Sequence, residues 1–296
     1  RDRLLALFVE DVDEFLRTLS WFNAIVTGDV ALAFFLRDDS VVNMELEIAV
    51  GLYQGPDLEE DLMARFGCCP THGGTDDVPA NTNSPVTRRF SLSSGAYLLL
   101  SISNTSSPLV PVVRRQMTAH VNYFSAEAFG CGFPALTLRR TSLCPEPPLI
   151  TPEDVFDRDL LVNKCGFVVS ADVSDLVPSE VTASAPEENG AHVQWGGGVA
   201  CLRNHYLCPG QERFFGDRGS LVDFFDVSAS ELRDLQARHA PPFGPAVVWR
   251  MQSLRHCVSM CHTQNIHLEA NTRVGHLSAV HEPFRFGPRF MGYQWL

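Results

Sequence analysis

Lysine is almost missing from this sequence, since Lys164 is the only one and every other basic residue is an arginine. The 23 basic residues stand against 35 acidic ones, which gives a formal net charge of −12. A protein that grips a long nucleic acid usually presents a net basic surface, because lysine and arginine neutralise the phosphates. We therefore do not expect an extended nucleic acid as a partner, although a local arginine patch stays compatible with the composition.

Long apolar runs are missing as well. No window approaches the roughly 20 continuous apolar residues that a membrane-spanning helix needs. The apolar run over residues 4–9 lies between charged residues and lacks the small-residue cleavage site of a signal peptide. The nine cysteines are odd in number and irregularly spaced, unlike a dense secreted disulfide scaffold. We therefore expect a cytoplasmic protein with no membrane contact and mostly reduced cysteines.

The chain has 296 residues, of which 45% are hydrophobic, and this is enough for one large domain or two moderate ones. Residues 144–153 are rich in proline, which resists both helix and sheet, so we predict a linker there. The linker divides the chain into an N-terminal unit, residues 1–143, and a C-terminal unit, residues 154–296.

The stretch over residues 23–50 is the most informative one. Its first half predicts a short strand at residues 24–26, a turn at Gly28 and Asp29, and a helix over residues 30–37. We expect Asp29 to cap this helix, because a carboxylate accepts bonds from the free N–H groups at a helix N-terminus.

A second strand is predicted over residues 41–50. Side chains two positions apart on a strand share a face, so Glu45 and Glu47 are expected to lie together. Leu46 and Ile48 then point to the opposite face, into the core. This strand therefore presents a pair of carboxylates on one side.

Further elements follow from periodicity and turn chemistry. We predict helices at residues 9–19, 56–66, 154–164 and 228–239, a loop at 67–85, a hairpin of strands 88–94 and 97–103, and a strand at 166–170.

An acidic pair on a strand next to a glycine turn is how polymerase-beta-type nucleotidyltransferases hold two divalent metal ions. Residues 23–50 resemble that superfamily. Other segments resemble an uncharacterised nucleotidyltransferase-like family of mushroom-forming fungi, namely residues 97–103, 120–126, 133–137 and 208–221. The resemblance implies an α/β protein: a nucleotidyltransferase-like N-terminal unit, with a mixed sheet flanked by helices, and a C-terminal α+β unit packed on it.

The resemblance also implies roles for four residues. Glu45 and Glu47 would be the catalytic ligands of magnesium, and Gly28 and Asp29 would form the turn that binds the phosphates of a nucleotide. Three departures from the family pattern stand beside these roles. Asp29 places a negative charge where the family has serine, glutamates replace aspartates, and residues 90–103 contain no third acid.

Two functions therefore stay open. The first is a degenerate nucleotidyltransferase-like protein that binds an unknown protein or small-molecule ligand and keeps a residual nucleotide or small-ligand cleft. In that case Glu45 and Glu47 are a solvated strand face of an inherited fold. The alternative is an active magnesium-dependent enzyme that transfers a nucleotide to a protein, RNA or small-molecule hydroxyl.

Arg213 and Arg218 flank a turn around Asp217, with Gly216 and Gly219 able to adopt positive φ. Backbone N–H groups of such a turn could receive an anion together with the arginines. The interpretation that we favour is a structural turn in which Asp217 pairs with an arginine.

A last group of candidate ligands is Cys257, Cys261, His262 and His267. Their spacing could serve a zinc ion. Structural zinc sites usually show tighter ligand pairs, and the segment equally fits a buried strand with reduced cysteines. Zinc is therefore not expected.

Overall fold

The computed structural model describes residues 1–71, 85–144, 152–171, 206–207, 211–225, 247–249 and 275–276. The helices are α1 (Asp2–Leu5), α2 (Val12–Trp21), α3 (Gly28–Leu36), α4 (Gly55–Phe66), α5 (Leu109–Val113), α6 (Pro134–Thr137) and α7 (Pro152–Asn163). The strands are β1 (Ile25–Thr27), β2 (Glu45–Val50), β3 (Cys69–Pro70), β4 (Val86–Ser91), β5 (Tyr97–Ile102), β6 (Asn122–Phe124), β7 (Ala128–Cys131), β8 (Thr141–Leu143), β9 (Val168–Ser170), β10 (Leu221–Phe224), β11 (Val247–Val248) and β12 (Gly275–His276).

The ends of the first long helices follow from local chemistry. The side chain of Asp11 accepts a hydrogen bond from the backbone N–H of Glu14 at 2.8 Å, which caps α2. Helix α4 has Pro56 in its first turn and stops at Gly67, whose φ of 62° ends the helix in the left-handed region. The helix predicted at residues 56–66 is thus confirmed, and α7 confirms the one at 154–164. The helix predicted at 9–19 is also present, but Asp11 caps it, so that it begins at Val12 and ends at Trp21.

Eight of the described strands form one sheet in the order β10-β7-β6-β1-β2-β5-β4-β3. The β2 and β5 pair is parallel and every other neighbouring pair is antiparallel, so the sheet is mixed. Strands β1 and β2 are direct neighbours, with Thr27 opposite Glu47, and β4 and β5 form the predicted hairpin. The prediction of an α/β fold with a mixed sheet flanked by helices is confirmed.

The alternation of β2 sends its side chains into two different layers. Leu46 and Ile48 are fully buried in a core that also holds side chains of α2, α3 and α4. Ala49 lies on the other face, in a second core with Val110 of α5 and Trp249. Glu45 and Glu47 share that second face, as the sequence predicts.

Helix α3 begins at Gly28, two residues earlier than predicted. Strand β1 runs directly into it, Thr27 is the N-cap residue with an extended backbone, and no side chain caps the helix. Asp29 therefore lies inside the first turn, and the prediction that Asp29 caps the helix is wrong. Its carboxylate is left to interact with other groups.

Elements on both sides of the predicted linker form sheets with one another. Strand β8 pairs in parallel with β9, and β10 pairs with β7 at the edge of the large sheet. The division into units at residues 144–153 stays a prediction. The predicted helix at 228–239, most of the loop at 67–85 and the candidate zinc ligands lie outside the described residues.

No helix within the described parts of the chain combines the length and apolar character needed to cross a bilayer. The cytoplasmic location stays a prediction.

Candidate functional site

Gly28 and Glu47 lie against each other where β1 passes into α3. The backbone of Gly28 has a φ of 67°, and a Cβ atom there would overlap the Glu47 carboxylate. Thr27, the residue before the glycine, is the direct partner of Glu47 across the strands. The missing side chain of Gly28 thus makes the space in which Glu47 sits at the start of the helix.

Arg115, which follows α5, forms an ion pair with Glu47 through its Nη2 atom. The Glu47 side chain is 15% exposed and that of Arg115 is 26% exposed. Most of both charges is removed from water, so each needs the other, because a buried charge without a partner is strongly destabilising.

Glu45 is paired with a different arginine. Its Oε2 atom lies 3.2 Å from Nη2 of Arg89 on β4. The Arg89 guanidinium also lies over the ring of Tyr97, 4.0 Å from the ring centroid. Tyr97 on β5 is the direct partner of Glu45, so the ring holds the arginine next to this carboxylate.

Asp29 faces His120 at the start of α3. Its Oδ1 atom is 3.4 Å from Nε2 of His120, and both side chains are largely buried. His120 is held in the short helical turn Thr118–His120, which precedes β6. The second residue of the predicted phosphate turn is therefore directed at an imidazole.

The register of β2 and β5 identifies the residues beside the two glutamates. Tyr97 lies next to Glu45, and Leu99 lies next to Glu47. A third acid on this strand would have to occupy one of these positions to join the carboxylates. Among the described residues, no group of three or more histidine, cysteine, aspartate or glutamate side chains could hold a metal ion.

Arg213 lies outside the strands of the large sheet, where it forms an isolated bridge with Trp249. Its side chain is 1% exposed and donates to both carboxylate oxygens of Asp217, at 2.6 and 3.1 Å. It also donates to the carbonyl oxygens of Tyr206, at 2.6 Å, and Gly132, at 2.7 Å. The interpretation that Asp217 pairs with an arginine in a structural turn is confirmed.

Arg218 is exposed on the same turn. Gly132 directly follows β7, which is three strands away from β2 in the sheet order. At ordinary strand spacing this is a separation of roughly 14 Å. The structure thus brings Gly28, Asp29, Glu45 and Glu47 to one region and leaves Arg213 outside it.

Four residues of this region were not predicted as site residues, namely Arg89, Tyr97, Arg115 and His120. One signal was present, because arginine occurs in three adjacent pairs, at 88–89, 114–115 and 139–140, in a chain of net negative charge. The pair at 88–89 lies on the first strand of the predicted hairpin, and the pair at 114–115 directly follows an apolar run.

The five described cysteines, Cys68, Cys69, Cys131, Cys144 and Cys165, are all free. Burial raises the pKa of the Cys68 thiol to about 11 and that of Cys131 to about 12. Burial also raises the pKa of Cys165, and the negative charge of Asp29 acts in the same direction. These three thiols therefore stay protonated at neutral pH and are poor nucleophiles or metal ligands.

Comparison with known proteins gives no match to this chain, whether to a protein-family model, a curated protein or a solved structure.

Proposed function

We propose that this chain is a degenerate nucleotidyltransferase-like protein that binds a small molecule or a protein partner and does not transfer nucleotides. The observation that carries the proposal is that both expected metal ligands form ion pairs with arginines. Glu45 is paired with Arg89, and Glu47 with Arg115.

The charge balance around these carboxylates supports the proposal. A magnesium ion bound to them would lie beside two guanidinium groups. Like charges about 4 Å apart repel by roughly 1 to 4 kcal/mol, depending on the local dielectric. Magnesium also tolerates little departure from octahedral oxygen coordination, and Leu99 occupies the place beside Glu47 where a further carboxylate would be useful.

The phosphate turn gives independent support. Asp29 brings a negative charge to the first turn of α3, the position where a nucleotide phosphate would approach the helix N-terminus. A triphosphate would be repelled by this carboxylate. We therefore propose that any ligand of the residual cleft is held by Arg89, Tyr97 and Arg115 without a magnesium ion.

One observation favours the alternative, an active magnesium-dependent nucleotidyltransferase. Gly28 and Glu47 are in direct contact, so the turn and the acidic strand have the adjacency that the superfamily site requires. A ligand that drew Arg89 and Arg115 toward its phosphates would free the carboxylates for a metal ion. An assay of nucleotide transfer therefore distinguishes the two functions.

The assay incubates the protein with labelled nucleoside triphosphates and magnesium or manganese, and measures self-modification and transfer to added hydroxyl acceptors. We expect no incorporation above background in the wild type. A Glu45→Gln, Glu47→Gln variant is the test variant. Glu59→Gln is the matched control, because Glu59 on α4 forms a 3.2 Å ion pair with Arg88 on β4. Incorporation that the double variant abolishes and the control retains would overturn the proposal in favour of the enzyme.

A further inference from the structure

A concave site lies at the end of α3 that is remote from Gly28. It is an open groove of about 680 Å³, within the range of roughly 300 to 1,000 Å³ that is usual for small-molecule sites. Helix α3 has 9 residues, so its two ends are about 13 Å apart at 1.5 Å per residue. The groove is thus separate from the carboxylate region. Its principal lining residues are Arg1, Arg3, Phe34, Phe35, Arg37 and Phe129.

The apolar wall of this arginine groove is rigid. The ring of Phe34 lies 5.3 Å from that of Phe129 and 5.6 Å from that of Phe225, both edge to face. Phe35 also contacts Phe129, with the ring centroids 6.0 Å apart. Such contacts fix the rings against one another. An apolar ligand would therefore meet a preformed surface.

The charge of the groove is opposite to that of the whole chain. Among the described residues that line it are three arginines and one carboxylate, Asp39, in a protein of net charge −12. Arg3 lies 2.6 Å from Asp39, but its side chain is 77% exposed, so this ion pair is weak. Arg3 is therefore available to an anion. Arg1 is not, because it pairs with Asp2 at 2.6 Å, donates to the carbonyl oxygen of Ala126 and lies over the ring of Phe225.

Arg37 is the most available of the three. It is exposed, and no ion pair joins it to another described residue. It ends α3 with a φ of 53°, in the left-handed region where glycine or asparagine is usual at a helix end. An arginine in this conformation beside a phenylalanine wall combines a cation with an apolar surface.

We propose that the arginine groove binds a small amphiphilic organic anion, with an aryl or acyl body against the phenylalanine wall and one phosphate, sulfonate or carboxylate group facing Arg3 and Arg37. The phenylalanines supply the contact area, and the arginines set the sign and position of the charge. The site does not depend on the function proposed for Glu45 and Glu47.

The test is isothermal titration calorimetry of the whole chain with 1-naphthyl phosphate. Separate titrations use 1-naphthol, which lacks the charge, and inorganic phosphate, which lacks the aryl group. We expect saturable binding of one equivalent of 1-naphthyl phosphate and much weaker binding of the other two. Arg37→Gln is expected to weaken binding at least about fivefold, because a charge-assisted hydrogen bond is lost. Arg139→Gln is the matched control, since Arg139 is an exposed arginine near the rim residue Leu138 that does not line the groove.

Two results would overturn the proposal. One is the absence of saturable binding, or binding that Arg37→Gln and Arg3→Gln leave as tight as in the control. The other is inorganic phosphate binding as tightly as 1-naphthyl phosphate, because the apolar wall would then contribute nothing. Both arginines are exposed, so the variants are expected to fold, and circular dichroism of each checks this.

Discussion

Two ion pairs, Arg213 with Asp217 and Arg89 with Glu45, differ in how far their charges are exposed to water. Arg213 and Asp217 are 1% and 6% exposed, and Arg213 also donates to two backbone carbonyls. Arg89 and Glu45 are 47% and 29% exposed. The first pair is fixed because neither charge can return to water. The second can exchange its partner, so a ligand can compete for it.

The largest expected effect is on the buried pair. Asp217→Ala would leave the Arg213 charge buried without its partner, and we expect a loss of about 3 to 5 kcal/mol in the free energy of unfolding. Urea denaturation measures this loss. Glu45→Ala is the matched variant of the exposed pair and should cost at most about 1 kcal/mol. Equal losses at the two positions would remove the distinction between them.

A smaller effect is expected at the glycine that seats Glu47. Gly28→Ala forces alanine into positive φ, at about 1 to 2 kcal/mol, and drives its Cβ into Glu47. Gly67→Ala is the matched control, because Gly67 has a φ of 62° with no atom within 4 Å of the added Cβ. Gly28→Ala should therefore destabilise the protein more than the control.

A double variant separates the two causes of that loss. In a Glu47→Ala background the overlap disappears, so Gly28→Ala should then cost about as much as Gly67→Ala. An unchanged cost in that background would show that Glu47 does not sit against the glycine.

The smallest effect concerns a third arginine pair, in which Asp38 lies 2.5 Å from Arg140. Hydrogen bonds from Ser40, followed by those from Arg140, lower the pKa of Asp38 to about 2 from its usual 3.8. A depressed folded-state pKa gives stability that is present above about pH 4 and lost as the pH falls through 2. Asp38→Asn should therefore flatten the pH dependence of unfolding in this window.

Acid titrations followed by circular dichroism measure that slope. Glu10→Gln is the control, because Glu10 is an exposed acid on the loop between α1 and α2. The same slope in Asp38→Asn as in the wild type would show that the pKa of Asp38 is not lowered in the folded protein.

The secondary structure around the site was predictable because its signals are local. The alternation of residues 45–48 placed the glutamates on one face, and the turn at Gly28 placed a helix after β1. The capping role of Asp29 was wrong because β1 passes into α3 without an intervening residue, which a pattern of apolar positions does not reveal.

The ion pairs of the site could not be predicted in the same way. Arg89 on β4 can reach Glu45 on β2 because β5 is the one strand between them. Arg115 reaches Glu47 from the segment that follows α5. Both contacts depend on strand order, which local periodicity does not determine. The pairing of Arg213 with Asp217 was easier to predict from the sequence, since the two residues are four positions apart in one turn.

If Arg89 and Arg115 hold the carboxylates that a metal ion would otherwise bind, the wild type should not bind Mn²⁺ through Glu45 and Glu47. Electron paramagnetic resonance of free Mn²⁺, titrated into the protein without nucleotide, measures this binding. Wild type and the Glu45→Gln, Glu47→Gln variant are expected to leave the same free-ion signal. Replacing both arginines with glutamine should increase Mn²⁺ uptake, because the carboxylates lose their partners. Stoichiometric Mn²⁺ binding by the wild type that is lost in the double glutamine variant of Glu45 and Glu47 would show instead that the two arginines do not block the carboxylates.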